Sequence, residues 1–420
     1  MGKKYERYTQ LLLLALSSGA IFRLVYLRTS FQEGMQAAWS IDIIQLNELY
    51  VWLGFAIVIG YVPSGWIADR FSTKWVIVVS LGLTALLSGL FALTPSFSTL
   101  KMIYLGLGFS SVFLFWSSHM RAARVLSGGT EEGKFFGLLD GGRGLSEALF
   151  ASLATVGFQW IVVADTQNID AAMQFVFVFF AIILMLLAVM NIFLLSPDQT
   201  QKIRKHSHIQ SKNIAKTPYT ISDLFKNRVL MKQVILMSTI IFSGYTLFFT
   251  GFAFSSLLIS TFHVPIVTAA YVLSGVLWMR PVGAISGGFL ADKYSKHMIL
   301  AISMILSILG IVLLLYVPMP NILRFVLIIF IGLMNAMIRG VYWSLLHYIQ
   351  VPEQELGRMI GLISFIGYLP DVLLPLLSVY LYLRLPEIQA TRLYLQVSLI
   401  IGIIGIILTT YFYRHTKRHY

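Results

Sequence analysis

Charged side chains inside long apolar stretches are the residues of this sequence best suited to chemistry. Five arginines and three acids lie in such stretches: Arg23, Arg28, Asp140, Arg143, Glu147, Arg280, Arg339 and Asp371. An Arg or Asp at the centre of a membrane-spanning helix costs about 2.5–3.5 kcal/mol, so these positions are candidates for function. If all are ionised, two arginines have no matching carboxylate. Because a guanidinium fits the planar edge of carboxylate and phosphate, the pattern predicts a small anionic substrate.

The elements that position these charges are predicted to be membrane-spanning helices. Of the 420 residues, 57% are apolar and 12% are charged, with a mean hydropathy of +0.79, whereas soluble chains carry roughly 25% charged residues. Apolar runs of about twenty residues suffice to cross a bilayer. Hydropathy places twelve of them, at residues 8–30, 49–67, 75–93, 100–119, 135–162, 171–195, 234–259, 266–290, 298–317, 322–347, 359–383 and 393–413. These runs predict an all-α, polytopic membrane protein.

One hydrophilic stretch, residues 196–231, divides the predicted spans into two sets of six. It predicts an N-terminal six-helix bundle at 1–195, a cytoplasmic linker at 196–231 and a C-terminal six-helix bundle at 232–420. The first span follows basic residues as a signal peptide does, but its removal would leave one half a span short, so we expect it to be retained.

The distribution of basic residues predicts the orientation of the chain. Of the 31 Lys and Arg residues, 22 lie on the side of the termini and the linker, four on the opposite side and five within spans. The positive-inside rule therefore places both termini in the cytoplasm. This asymmetry accounts for the net charge of +13, so no nucleic-acid partner is expected.

A short repeat occurs at the same place in both halves. Gly65-Trp-Ile-Ala-Asp69-Arg70 follows the second span, and Gly288-Phe-Leu-Ala-Asp292-Lys293 follows the eighth, 223 residues later. Gly permits two helices to approach closely, and Asp beside a helix end can bind a basic residue or the N-terminus of a neighbouring helix. Such pairs would hold one conformation closed until substrate shifts the balance. The predicted gating residues are Gly65, Asp69, Arg70, Gly288, Asp292 and Lys293.

With this repeat in both halves, the sequence resembles the major facilitator superfamily, whose cytoplasmic signature has this Gly-x-x-x-Asp-Arg/Lys pattern. The resemblance covers the whole chain, including the twelve spans and the basic central loop. It implies the major facilitator fold, alternating access between two six-helix bundles, one substrate site near mid-membrane, and a monomer.

Within that superfamily, the first span resembles the organophosphate:phosphate antiporters and related organic-anion permeases. The segment Leu24-Val-Tyr-Leu-Arg28-Thr-Ser-Phe carries the resemblance, which implies that Arg28 binds the substrate anion. Arg143 falls where those proteins carry a substrate-site histidine. The sequence departs from them in span 7, which has no Lys or Arg, and near Tyr61, where they have a lysine. These two departures argue against phosphate exchange of their kind.

Other residues complete the predicted substrate site. Arg280 in span 8 would supply the missing positive charge or would be the structural partner of Asp371, and the sequence leaves both readings open. Arg143 has the same two possibilities, since Asp140 and Glu147 lie on its helix face. Arg339, Tyr245 and Trp278 are further candidates for substrate contact. The predicted substrate-binding residues are Arg28, Arg143, Arg280, Arg339, Tyr245 and Trp278.

Three buried acids are candidates for proton coupling: Glu147, Asp371 and Asp140. A carboxyl group near mid-membrane takes up a proton on one side and releases it on the other, unless an arginine keeps it ionised. The coupling partner is therefore a proton or a counter-anion.

Two other transport functions and one receptor function stay open. A multidrug or lipid exporter, a neutral sugar/proton symporter and a ligand-binding receptor would share this fold. The sequence has no cysteine, and it shows no P-loop, metal-ligand spacing or nucleophile motif. We therefore expect no enzyme activity, no cofactor and no metal. The expected location is the cell inner membrane, within the lipid bilayer.

Overall fold

The computed structural model describes residues 2–41, 43–93, 95–128, 131–164, 169–196, 228–349 and 356–416. Within these ranges the chain is almost entirely helical and contains no strand. Most of the predicted linker lies outside the described residues.

The first part of the described chain forms eight α-helices. They are α1 (Gly2–Val25), α2 (Arg28–Trp39), α3 (Ile43–Arg70), α4 (Thr73–Phe91), α5 (Phe97–Gly108), α6 (Ser117–Ser127), α7 (Glu132–Ala164) and α8 (Ile169–Leu194). A π-helical segment, Phe109–Trp116, joins α5 to α6.

The second part forms seven more. They are α9 (Arg228–Phe249), α10 (Ile266–Lys293), α11 (Lys296–Tyr316), α12 (Asn321–Tyr342), α13 (Leu356–Gly367), α14 (Pro370–Arg384) and α15 (Glu387–Thr416). Irregular helical turns, Thr250–Ala253, Phe254–Ser256 and Leu257–Thr261, extend α9, and a 3₁₀ segment, Trp343–Tyr348, extends α12.

Ten helical segments of the described chain are long and apolar enough to cross a membrane. The predicted fifth and eighth spans are not among these ten segments. They correspond to α7 and α10, which have 33 and 28 residues. At about 1.5 Å per residue both exceed the roughly 30 Å of a hydrocarbon core. These two helices are less apolar than the other ten segments because they carry charged residues such as Asp140, Arg143 and Arg280. The predicted all-α, polytopic class is confirmed.

The chain separates into two compact units. The N-terminal unit comprises Met1–Leu126, Leu145–Ser222 and Val351–Leu362, and the C-terminal unit comprises Ser127–Gly144, Asp223–Gln350 and Ile363–Tyr420. The first part of α7 therefore belongs to the C-terminal unit, and the first part of α13 belongs to the N-terminal unit. The division into bundles at residues 195 and 232 remains a prediction.

In the N-terminal unit, an aromatic cluster packs around the end of α2, and the backbone between α1 and α2 is irregular. The ring of Trp39 stacks on Phe177 with centroids 5.4 Å apart and also contacts Phe91 and Tyr104. The helix axis breaks at residues 26–27, and Phe31 has non-helical angles (φ −127°, ψ 26°). This irregular backbone places Arg28 at a helix start rather than in a helix interior.

In the C-terminal unit, α10 and α12 pack closely because small residues face each other. A Cβ atom built at Gly340 would lie 2.5 Å from the carbonyl oxygen of Ala284, and one built at Gly283 would lie 2.5 Å from that of Leu333. Small residues at helix interfaces allow such contact in membranes. The close packing brings the middle of α10, with Arg280, beside α12.

Candidate functional site

A cluster of opposite charges lies in the C-terminal unit. Asp140 on α7 contacts two arginines through the same oxygen: its Oδ1 lies 3.2 Å from Arg339 Nη2 and 3.6 Å from Arg280 Nη2. Arg339 is only 6% exposed. One carboxylate thus contacts two guanidinium groups, and we call Asp140, Arg280 and Arg339 the arginine cluster.

A third arginine acts on the arginine cluster, and two buried atoms of the cluster make no hydrogen bond within the described ranges. Arg143, one turn beyond Asp140 on α7, acts electrostatically on Asp140 and on Asp371. Asp140 Oδ2 and Arg339 Nε are buried and have no hydrogen-bond partner among the described residues.

Asp371 has a different environment from Asp140. The hydroxyl of Tyr245 on α9 donates a hydrogen bond to Asp371 Oδ1 at 2.9 Å, and Asp371 forms no ion pair within the described part of the chain. The alternative in which Arg280 pairs with Asp371 is therefore wrong, because Arg280 contacts Asp140 instead.

Aromatic side chains surround the cationic side of the cluster. The guanidinium of Arg339 lies 4.5 Å from the ring centroid of Phe248 and 5.5 Å from that of Tyr245, and the ring of Phe248 also lies 5.9 Å from Arg280. These distances are typical of cation–π contacts.

A second set of aromatic residues adjoins Tyr245, and the sequence analysis did not identify it. Tyr368 packs edge-on against Tyr245 at 4.8 Å. Its hydroxyl accepts a hydrogen bond from Trp343 Nε1 at 2.8 Å and lies 3.2 Å from the hydroxyl of Tyr342. The only available signal was the Gly-Tyr-Leu-Pro-Asp sequence before α14, which places Tyr368 three residues from Asp371.

The structure does not bring Trp278 to this site. Its side chain is 58% exposed, and it forms no hydrogen bond or ring contact with the arginine cluster within the described ranges. Trp278 was predicted because it lies two residues before Arg280 in the sequence. Residues two apart on a helix point in different directions, so this proximity does not bring the two side chains together.

In the N-terminal unit, Arg28 lies at the start of α2 against a tyrosine. Its guanidinium is 5.3 Å from the ring centroid of Tyr50, and its backbone N–H donates to the Tyr50 hydroxyl at 3.3 Å. One turn earlier, Arg23 donates to the hydroxyl of Ser30 and interacts electrostatically with Glu147. Of the predicted residues in this unit, Arg28 thus contacts a tyrosine and Glu147 interacts with an arginine.

The two signature aspartates make equivalent contacts with helix N-termini. Asp69 accepts hydrogen bonds from the backbone N–H groups of Gly357 and Arg358, both at 2.8 Å, at the start of α13. Asp292 accepts them from Gly133 at 2.9 Å and Lys134 at 2.6 Å, at the start of α7. A carboxylate at this position satisfies free N–H groups and interacts favourably with the helix dipole.

The signature glycines make these contacts possible. A Cβ atom built at Gly65 would meet the carbonyl of Gly357 and lie 2.7 Å from Arg358 Cα, and one built at Gly288 would meet the carbonyl of Gly133. Any side chain at these positions would separate the helices.

The bases beside the aspartates are not the two in the signature. Arg70 lies over the ring of Trp66 at 4.5 Å and Lys293 over that of Tyr294 at 5.3 Å. The basic groups near the aspartates belong to other residues, which sequence reasoning missed: Arg121 at 3.8 Å and Arg358 at 3.9 Å from Asp69, and Lys296 at 3.6 Å from Asp292. For the first two, partners distant in the chain left no local signal.

Comparison with known proteins agrees with this architecture. Two Escherichia coli K12 proteins are similar in sequence: inner membrane protein YqcE, 26% identical over 377 residues (88% of this chain, 85% of YqcE), and inner membrane protein YihN, 23% identical over 376 residues (85% and 84%).

Two solved structures share the fold. The E. coli fucose:proton symporter FucP superposes with a TM-score of 0.67 at 14% identity, over 96% of this chain and 98% of that chain. The proton:xylose symporter XylE superposes with a TM-score of 0.68 at 14% identity, over 99% and 96%. The family model described as Major Facilitator Superfamily matches residues 11–375. Together with the duplicated signature, this match shows that the chain belongs to the Major Facilitator Superfamily.

Proposed function

We propose that this protein is a secondary active transporter that carries a small organic anion across the inner membrane together with a proton, by alternating access. The substrate class comprises small carboxylates, sugar acids and sugar phosphates. The location is supported by the two relatives named as inner membrane proteins. Symport with a proton is a property of the structural neighbours FucP and XylE.

The observation that carries the anion proposal is the pair of guanidinium groups that share one oxygen of Asp140, at 3.2 and 3.6 Å. A third arginine acts electrostatically on the same carboxyl group. The predicted spans also hold five arginines against three acids, an excess of positive charge that a neutral substrate would not reduce. A carboxylate or phosphate would bind arginines of this kind through charge-assisted hydrogen bonds.

Asp371 is the acid best placed to carry the proton. Protonation of Asp140 would weaken its contacts with two arginines, and Glu147 interacts with Arg23. Asp371 accepts a hydrogen bond from the neutral hydroxyl of Tyr245 and forms no ion pair within the described part of the chain, so a proton can bind it without breaking an ion pair. Its protonation would remove one negative charge that acts on Arg339 and Arg143. Anion and proton would therefore favour each other's binding, which is the thermodynamic basis of symport.

The signature contacts would act as the cytoplasmic gate. Asp69 and Asp292 each bind the start of another helix through two backbone hydrogen bonds. In this proposal these four bonds break and re-form during the transport cycle. The side chains of Arg70 and Lys293 lie on aromatic rings. In this proposal they contribute positive charge near the gate but no direct bond to either aspartate.

The experiment is ligand-induced thermal stabilisation of the purified protein, because a ligand raises stability by RT ln(1 + [L]/Kd). The panel contains sugar phosphates, sugar acids, carboxylates, neutral sugars and lipophilic cations, each at pH 6 and pH 8. We expect stabilisation by one anion class, stronger at pH 6, and reduced at least about tenfold in affinity in Arg28→Ala and Arg280→Gln.

The matched control is Arg324→Ala, because Arg324 lies on the predicted external side, contacting Asn321 and the ring of Phe262. This variant should bind as the unaltered protein does. Stabilisation only by neutral sugars or lipophilic cations would contradict an anionic substrate.

Proton-coupled transport of a neutral sugar is the second candidate. It is favoured by the aromatic residues around Asp371, including Tyr245 and Tyr368, since aromatic faces bind the apolar faces of sugar rings. In that case Arg280 and Arg339 would serve only to hold Asp140, and pH-dependent stabilisation would appear with neutral sugars alone.

A further inference from the structure

We propose that Asn335 on α12 is a positioning residue of the proposed proton site. It holds the end of α9 against α12, so that the hydroxyl of Tyr245 reaches Asp371. The inference rests on the proposed function, because it concerns the acid to which the proton is assigned there.

The side-chain amide of Asn335 forms a hydrogen-bond network that links α9, α11 and α12. Its Nδ2 donates to the carbonyl of Leu247 at 2.9 Å and to the hydroxyl of Thr250 at 3.4 Å, and its Oδ1 accepts from the hydroxyl of Ser307 at 2.6 Å. Asn335 is 3% exposed, and Thr250 and Ser307 are fully buried. A buried amide bonded at both ends keeps one orientation, because a lost bond would leave a polar atom unsatisfied in an apolar interior.

These bonds reach α9 at the point where its regular geometry ends. The helix ends at Phe249, and the next turn, Thr250–Ala253, is 3₁₀-helical. Leu247 is among the last four residues of α9, whose carbonyls need partners other than the backbone of the helix itself. Its carbonyl accepts from Asn335 and from the Thr250 hydroxyl, at 2.9 and 2.6 Å. Asn335 therefore fixes where the end of α9 lies along α12.

Residues of the candidate site lie within one turn of this network. Asn335 precedes Arg339 by four residues, so both lie on one face of α12. On α9, Tyr245 and Phe248 are within two residues of the bonded carbonyl. The ring of Phe248 lies 4.5 Å from the guanidinium of Arg339, and the hydroxyl of Tyr245 donates to Asp371 Oδ1 at 2.9 Å. A shift of α9 along α12 would change both contacts.

The position of the Tyr245 hydroxyl affects proton binding at Asp371. The titratable and charged groups that act on Asp371 come from three helices: Tyr245 on α9, Arg339 on α12 and Arg143 on α7. A hydroxyl that donates to a carboxylate favours the charged form of that carboxylate. If Asn335 positions this hydroxyl, removing the amide should affect proton binding as removing the hydroxyl does.

A double-mutant cycle tests the positioning step without any ligand. Melting temperatures in detergent are measured for Asn335→Leu, Tyr245→Phe and the combined variant. Leu keeps the branched shape of Asn but cannot form hydrogen bonds. We expect the combined variant to melt close to Asn335→Leu alone, because the hydrogen bond of Tyr245 is already lost in that variant.

Asn191 provides the matched control, since it is a buried amide that links two helices of the N-terminal unit. Its Nδ2 donates to the hydroxyl of Ser17 at 3.0 Å and to the carbonyl of Leu187 at 2.8 Å. Asn191→Leu should also lower the melting temperature, but its effect should add to that of Tyr245→Phe.

The second readout is the pH dependence of anion binding. The probes are gluconate and glucose 6-sulfate, because neither titrates between about pH 5 and pH 9, the range over which affinity is measured. In Asn335→Leu and in Tyr245→Phe the midpoint of this dependence should move to higher pH by about one unit, and it should move no further in the combined variant. Asn191→Leu should keep the original midpoint, as a purely structural residue would.

Two results would overturn the inference. One is an additive effect of Asn335→Leu and Tyr245→Phe on the melting temperature, as in the Asn191 control. The other is an unchanged midpoint in Asn335→Leu beside a shifted one in Tyr245→Phe.

Two further outcomes keep the test decisive. If Asn335→Leu does not fold, Thr250→Val takes its place, because it removes one partner of the same amide, and additivity with Tyr245→Phe then rejects the inference. If neither probe nor any other anion binds, the proposed anion transport is rejected, and the melting-temperature cycle alone decides on Asn335.

Discussion

Single arginines in this protein differ in role because their neighbours differ. Arg280 and Arg339 face one carboxylate, whereas Arg28 lies against the ring of Tyr50 at a helix start. Arg70, in the signature, rests on Trp66. The charge is the same in each case, but the first two share one carboxylate oxygen, whereas the other two lie against aromatic rings.

The acids differ in the same way, and Asp371 allows a direct test. Asp371→Asn resembles the protonated side chain and cannot release a proton. We expect substrate binding to lose its dependence on pH and to keep the affinity of the low-pH state. Proton-driven accumulation in proteoliposomes should be abolished, while exchange of labelled for unlabelled substrate should continue, because exchange does not require net proton movement.

Glu387→Gln is the control for that prediction. Glu387 is an exposed acid of the same unit, bound by the hydroxyls of Ser256 and Ser260, and its loss should leave both pH dependence and accumulation intact. Accumulation against a gradient by Asp371→Asn would assign the proton to another acid, with Glu147 as the next candidate.

At the scale of elements, the duplicated signature forms two close helix contacts, while its basic residues Arg70 and Lys293 lie against aromatic rings. Asp69 and Asp292 each bind two backbone N–H groups of a helix start. Gly65 and Gly288 bring the helices near enough for those bonds. The repeat in the sequence therefore corresponds to a repeated contact in space.

This packing predicts an unequal effect of the same substitution at different glycines. Gly65→Ala and Gly288→Ala should each lower stability by about 1–3 kcal/mol and reduce transport, because the added methyl group meets backbone atoms that cannot move independently. Gly89→Ala in α4 is the control, since a Cβ atom there has no neighbour within 4 Å. It should be neutral or stabilising by up to about 1 kcal/mol.

Thermal unfolding in detergent and uptake in proteoliposomes measure both effects. Equal melting temperatures for the three alanine variants would show that the glycines do not determine the helix approach.

At the scale of the whole molecule, the absence of cysteine makes the predicted orientation accessible to labelling. Single cysteines can be introduced without removing native ones. We expect Ser98→Cys, in the first turn of α5, to react with a membrane-impermeant maleimide in intact cells. Lys205→Cys, in the central basic stretch, should react only after the membrane is permeabilised, because both termini and this stretch are predicted to be cytoplasmic.

A cysteine at Lys3 should behave like the one at Lys205, since an even number of spans places both on one side. Labelling of Lys205→Cys in intact cells would reverse the orientation. Opposite behaviour of the two positions would mean an odd number of spans between them.

The sequence by itself determined the class of this protein, since apolar runs of membrane-spanning length and basic loops act locally, through transfer from water to lipid. It also determined the family, because the Gly-x-x-x-Asp motif occurs twice within contiguous residues. The residues inside the spans were recognisable for a similar reason, as a charge in an apolar run needs no structure to be noticed.

Only the tertiary structure decided which charges meet. It paired Arg280 with Asp140 rather than Asp371, joined Tyr245 to Asp371 across 126 residues of sequence, and placed Trp278 away from the cluster. Helical periodicity gives the face on which a side chain lies but not the neighbour that the face meets. That neighbour depends on helix packing, which small residues such as Gly283 and Gly340 determine through contacts far apart in the chain.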